Sequence, residues 1–485
     1  MSEYISNVEA PFGLNHGPQI TGNYAPIATE QTLQDLPVEG KIPQDLSGVY
    51  LRNGPNPRFE PKGSHHYFDG DGMIHSACFS NGKVVYRNRW IRTEGWLKND
   101  AAGEEVHWGV MNTVKDSRDK PMNDAANTDV IGHAGYAVAS WYLAGTPYIV
   151  DPISLSTVRA APEYLAGHGK GMSAHVKVDE RTGDLMYFDY FTEKPHMSYG
   201  VVNKAGELVH HVPIELPGDR LMHDMGVTTN YSILHDVPVY HDEDALRAGR
   251  HKIRFDSSLP IRFGVIPRFG KSDTIRWFEF SSCFLYHVVN SWEEGDEVVM
   301  VACRYMPAKK ADGSIDEERT AKMIATLQMD ARLWCYRMNL KTGATHEHCL
   351  NSEHNVEFPG LNSSYTGVRS QFAYLVDHDP RMLRWTGLRK MNTLTGESEA
   401  DWSDGPENCW YSEPWFAPKD NAKAEDDGYV IIFCWNDANK TQQLQVFDAQ
   451  NIGSGPVARI TLPERVPPGF HACWMKPSQI ATWPE

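Results

Sequence analysis

Short apolar runs recur along the chain, each bounded by turn-forming residues. Residues 48–52 (GVYLR), 83–90 (KVVYRNRW), 184–191 (DLMYFDYF), 297–303 (EVVMVAC), 429–435 (YVIIFCW) and 443–448 (QLQVFD) have the length and the β-branched and aromatic content of strands. Ser80-Asn81-Gly82, Arg181-Thr182-Gly183, Lys204-Ala205-Gly206 and Lys341-Thr342-Gly343 read as turns between them. Helical signals are few. Residues 242–248 follow an Asp that can cap one or two turns, and residues 315–330 read as a helix or a long excursion. The polar stretches 309–317 and 419–427 read as surface insertions, and no low-complexity linker divides the chain. Strands at this density predict an all-β sandwich, barrel or propeller. Four-stranded blades of roughly 60 to 70 residues would give about seven, within the range propellers use. No clean internal repeat is visible, so the count alone carries that choice. We read residues 1–485 as one domain.

Charge narrows the function. Lys and Arg total 46 against 63 Asp and Glu, a net −17. That balance argues against a nucleic-acid binder, whose affinity rests on cations that neutralise phosphates. No run approaches the roughly 20 apolar residues a membrane-spanning helix needs. The opening MSEYISNVEAPFG has neither a basic head nor an apolar stretch, which predicts a cytoplasmic protein. Eight scattered cysteines without a CxxC pair suit reduced thiols and not a thiolate zinc site. There is no GxGxxG after a strand and no Walker motif, so no nucleotide cofactor is expected.

Among 21 histidines, four stand in apolar or small-residue surroundings beside predicted strands. They are His175 (GMSAHVKVD), His223 (RLMHDMGVT), His287 (CFLYHVVNSWEEGDE) and His471 (LPERVPPGFHACW). A buried imidazole needs a partner for each nitrogen. One ring per inner strand, converging on an axis, would offer several neutral donors to Fe, Cu, Zn or Ni. The four are 48, 64 and 184 residues apart, so only a closed architecture can bring them together.

At these residues the chain resembles the carotenoid cleavage oxygenase family, which includes apocarotenoid, retinoid-cycle and lignostilbene enzymes. The resemblance runs from GKIPQDLSGVYLRNGPNP (residues 40–57) through HHYFDGDGMIH (65–75), NTDVIGHAGYAVA (127–139) and the four histidine motifs to EFPGLN (357–362) and SEPWFAPK (412–419). It implies a seven-bladed β-propeller, a helical and loop cap over the iron face, and Fe(2+) held by His175, His223, His287 and His471. It further implies Glu357 and Glu413 as carboxylates orienting the ligand rings. The family's third such Glu is missing: its stretch reads ASWYLAGTPY here, with Tyr142 at about that place. His65, His66 and His133 are read as structural, His235 as a non-ligand, and Asp69 and Asp71 as turn formers.

The stilbene-cleaving branch uses a Tyr and a Lys at a phenolic hydroxyl. Met111 and Trp141 stand at those places here, which argues for an apolar tunnel and a polyene. Met111, Trp141, Phe284 and Trp474 are the expected lining. The implied reaction is scission of one C=C bond of an apocarotenoid-like alkene by O2 into two carbonyl products. The alternative is the same cleavage of a stilbene or other aryl alkene. Polyene isomerisation and a partner-binding propeller are the other classes to separate. The expected partners are an apolar or aryl alkene and O2, with peripheral membrane contact open.

Overall fold

The computed structural model describes residues 17–110, 123–167, 171–247 and 252–484. Period-two burial builds the outer strands: Lys83–Trp90 and Ala331–Asn339 alternate inward apolar and outward polar residues. Inner strands lack that alternation. Gly48–Pro55 and most of Phe284–Glu294 are buried on both faces, because each sheet is packed between two others. Tight turns join the strands where expected. Asn81 and Gly82 both take positive φ (52° and 68°), the geometry of a two-residue hairpin linking Gly72–Ser80 to Lys83–Trp90.

The result is a seven-bladed β-propeller. Blades II to VI each contain four strands, beginning at Asp129–His133, Lys177–Asp179, Gly226–Val227, Phe284–Glu294 and Val356–Gly360. Blade VII starts with Cys409–Tyr411 and Trp415–Pro418, which pair the same strand, Gly428–Asn436. Blade I is built from both ends of the chain. Ala472–Met475 pairs with Gly48–Pro55 as its innermost strand, so the C-terminal segment closes the ring. The N-terminal Val38–Gly40 pairs with Ala458–Leu462 on the outside of blade VII and ties the same seam again.

Three α-helices occur among the described residues. Glu317–Ala325 is capped by Asp316, whose side chain accepts from Arg319 N–H, inside the predicted 315–330 stretch. Glu243–Arg247 follows Asp242, whose Oδ1 accepts from Ala245 N–H, as expected. Glu94–Ala102 was not foreseen: only Gly95, Trp96 and Asn99 are buried, too few apolar positions for a visible stripe. The helix Glu317–Ala325 and the hairpin of Val239–His241 with Ile253–Phe255 form a cap over blades III to V. Under it lies a cavity of about 1080 Å³. No described helix is long and apolar enough to cross a membrane, and all eight cysteines are free thiols.

Candidate metal centre

Each blade delivers one polar side chain to the axis from the start of its innermost segment. In chain order these are Asp129, His175, His223, His287, Glu357, Glu413 and His471, and all seven are buried. His471 directly precedes an inner strand, and His175 and His223 lie just ahead of theirs, where the backbone is not yet committed to sheet pairing. His175 sits at φ 66°, left-handed for a residue with a Cβ. Asp129 holds that bend, its Oδ2 accepting from His175 N–H at 3.0 Å and its Oδ1 from Val130 N–H at 2.8 Å. His287 lies inside its strand, but at a register irregularity between Leu285 and Asn290. Such bulges re-aim a side chain. Glu357 sits at a second irregularity, followed by Phe358 at φ 51°.

The four imidazoles converge, with one ring nitrogen from each within 4.8 Å of the others. Ring centroids lie 4.3 Å apart for His175 and His471, 4.5 Å for His175 and His223, and 5.2 Å for His223 and His287. Burial, then the neighbouring imidazoles, holds His175 and His287 well below the ordinary histidine value. Burial does the same for His223, and lowers His471 to about 4. All four are therefore neutral donors at physiological pH.

Carboxylates fix two of the rings. Glu357 Oε2 bonds Nδ1 of His287 and accepts from Phe358 N–H at 2.9 Å. Glu413 Oε1 bonds Nδ1 of His471 at 3.0 Å, while its Oε2 accepts from Ala472 N–H. With the proton on Nδ1, each Nε2 presents a lone pair to the cluster. Nε2 of His175 and of His287 is buried with no protein partner. Phe358 stacks on His471 at 4.8 Å and packs against His287 at 4.7 Å, keeping that side dry. A neutral four-nitrogen set with unsatisfied lone pairs fits a divalent transition metal.

The third carboxylate is absent, as the sequence indicated. Nδ1 of His223 is buried without a protein partner. Tyr142 lies against the His223 ring at 4.3 Å, and Tyr286 against its other side at 4.8 Å. The other four histidines singled out in the sequence stand apart from the cluster. His133 bonds Tyr164 and the Gly183 carbonyl; His66 donates to the Ala325 carbonyl; His235 faces Phe263 at 5.0 Å and is outside the cluster. His65 is buried in the same turn. Asp69 accepts from His66 and Val110 N–H groups, and Asp71 from Arg58 N–H, so both organise backbone.

Strand direction separates two spaces around the imidazoles. Residues before His287 on its strand, Phe284 and Tyr286, line the large cavity under the cap. Residues after it, Val288 to Ser291, line a smaller channel of about 110 Å³ down the propeller axis. Phe284, one of the residues the sequence offered as lining, stands in this cavity wall. Trp141 is set back one layer, its indole N–H donating to the carbonyl of the wall residue Phe68 at 3.1 Å. Trp474, also offered as lining, faces the axial channel, because its strand runs away from the cap after His471. Met111 lies outside the described residues.

The sequence reading passed over Asp129, Lys177 and the role of Asp224. Asp224 Oδ2 accepts from Val288 N–H at 2.7 Å, tying the segment after His223 to the one carrying His287. Lys177 Nζ sits 2.8 Å from Asp224 Oδ1. The available signal was positional: each charge lies within two residues of a histidine motif or opens an inner strand.

A family model described as Retinal pigment epithelial membrane protein matches residues 24–476. The chain belongs to the carotenoid cleavage oxygenase family. A carotenoid 9,10(9',10')-cleavage dioxygenase of Crocus sativus is 32% identical, over 95% of this chain and 89% of its own length. An isoeugenol monooxygenase of Pseudomonas nitroreducens is 29% identical, over 94% and 98%. The crystal structure of Pseudomonas brassicacearum lignostilbene dioxygenase superposes with a TM-score of 0.84 at 27% identity, covering 96% of this chain and all of that one. As a carotenoid cleavage oxygenase, the chain is an enzyme of the dioxygenase type.

Proposed function

We propose that this carotenoid cleavage oxygenase uses Fe(2+) and O2 to cleave one C=C bond of an apocarotenoid-like conjugated alkene into two carbonyl products. The observation that carries the reading is four converging neutral imidazoles beside a large aromatic-walled cavity. His175, His223, His287 and His471 would hold the metal, which supplies a redox-active centre with open positions for O2. Glu357 and Glu413 orient the rings of His287 and His471 and keep their protons on Nδ1. Phe68, Tyr142, Phe284 and Tyr286 give the alkene flat apolar surfaces, so dispersion and burial set which bond lies nearest the site. The cap excludes water from that end.

The cavity volume of about 1080 Å³ favours a long substrate over a compact phenylpropanoid. Trp141 points the same way, since its indole is committed to the Phe68 carbonyl and no lysine stands there to meet a phenol. The aryl-alkene reading remains the second one, because the isoeugenol and lignostilbene relatives act on that class by name. The eight free thiols suit a reducing compartment such as the cytoplasm.

Iron-loaded protein given an apocarotenoid panel and a stilbene and isoeugenol panel separates the readings by product mass. Apocarotenal or ketone products carrying label from isotopic O2 are expected. Aromatic aldehyde from the phenolic alkenes alone would overturn the substrate assignment, and unlabelled isomerised polyene would overturn the reaction.

A further inference from the structure

Two spaces meet the imidazoles, and they differ in chemistry. None of the four rings lines the cavity under the cap, whose wall includes Tyr142 and Tyr286, both packed against the His223 ring. His175, His287 and His471 instead form the inner end of the axial channel. The inner part of the channel carries the carboxylates of Asp129, Asp224 and Glu413. Farther out, the lining reaches Thr366, Gln479 and the mostly buried Glu180, whose Oε2 is paired with Lys476 Nζ at 2.9 Å. One wall holds Ser291, whose Oγ is buried and has no protein partner. A Cβ on Gly226 opposite would come within 2.6 Å of that oxygen, so the glycine keeps this point open.

A divalent cation travels with tightly held water. Stripping that water among aromatic walls costs several kcal/mol or more. Carboxylates and a free hydroxyl can replace the water stepwise, and a carboxylate-lined funnel raises the local cation concentration. The substrate cavity offers the wrong surface for this traffic and the axial channel the right one.

One group inside the channel opposes it. Lys177 opens the inner strand two residues after His175, and its side chain lines the channel. Its Nζ is held 2.8 Å from Asp224 Oδ1. Asp224 keeps its backbone bonds to Met225 and Val288 whether or not the lysine is present. A swing of the flexible lysine, whose side chain is 21% exposed, removes a like charge and uncovers a carboxylate in one movement. We infer that a hydrated divalent cation reaches and leaves the four imidazoles through the axial channel, with the Lys177–Asp224 pair as its gate, while the cavity under the cap serves the alkene alone. This rests on the reading that the imidazoles hold a metal.

The test uses full-length metal-free protein and cobalt(II) alone, read by its visible absorption in stopped flow, with chelator-driven release measured separately. Lys177→Met is expected to speed uptake and release together, each about tenfold, leaving their ratio nearly unchanged, as for a barrier lowered from both sides. Glu180→Lys at the outer end should slow uptake about tenfold at low salt, with the difference closing at about 1 M salt. Should Lys177→Met not fold by circular dichroism, Glu180→Lys decides. Unchanged rates in the variants would overturn the route. So would acceleration of release alone in Lys177→Met, or uptake slowed by an apolar alkene filling the cap cavity. Absence of any bound cobalt would remove the metal reading itself, and the route with it.

Discussion

Neutral imidazoles carry no charge to steer or fix them, so their grip depends on what holds the far nitrogen of each ring. Glu413 and Glu357 do this for His471 and His287. Burial pushes both carboxyls well above the ordinary glutamate value, and the backbone N–H groups of Ala472 and Phe358 act against it. Glu413→Gln and Glu357→Gln should each weaken metal binding about 10- to 100-fold. His223 lacks such a partner, and Tyr142 packs on its face. Tyr142→Glu, which offers Nδ1 an acceptor, should strengthen metal binding about tenfold. Calorimetric titration with cobalt(II) checks all three, and equal affinity across the set would show that these contacts do not tune the site.

The elements that carry the site depart from regular strand geometry where they do so. His175 and Phe358 take positive φ, and His287 and Glu357 stand at register irregularities. Regular pairing would turn alternate side chains between the blades rather than toward the axis. The strand that closes the ring is equally particular. Gly48 has φ 145°, and a Cβ there would come within 2.4 Å of the Trp474 ring and 2.6 Å of the Met475 carbonyl. Gly48→Ala should therefore loosen the pairing of Gly48–Pro55 with Ala472–Met475, costing about 1–3 kcal/mol. Urea denaturation gives the loss, and hydrogen exchange should localise it to residues 472–475. A uniform loss of protection would mean that the closure is not the weak point.

At the scale of the molecule, buried titratable groups of opposite sign offset one another. Burial lowers His66, His133 and His378 to about 4 and His235 to about 3. The unfolded chain takes those protons first, so each costs stability as pH falls below about 6.5. Burial raises Asp69, Asp71, Asp124 and Asp189 to about 6, so the fold takes these protons first and each adds stability over the same interval. Lower in pH the sign is one-sided. Burial would raise Asp179, Asp379 and Asp404, but hydrogen bonds from Arg181, Arg381 and Arg459 more than reverse it and hold all three below the usual value. Their contribution is present above the unfolded value of about 3.9 and is lost as pH falls through the folded one. The urea midpoint should stay nearly level from about pH 6.5 to 5 and drop steeply below about pH 4. A steady decline beginning near pH 6.5 would show that the histidines dominate.

Much of this was legible in the sequence. Strand positions, hairpin turns and the four histidine motifs are local patterns, set by side-chain periodicity and turn chemistry within a few residues. They suffice for the all-β class and, through the resemblance, for the family and for the four histidines that converge. What the chain alone did not reveal depends on distant segments meeting. Glu94–Ala102 lacks an apolar stripe and owes its burial to neighbours. Asp129 reads as one more acidic residue until blades II and III bring it under the His175 backbone. Composition marks Trp474 only as apolar, whereas strand direction decides that it faces the axial channel. Sequence thus determined which groups are available and which elements carry them. Ring closure decided which of them share the axis and on which side of the imidazoles each one acts.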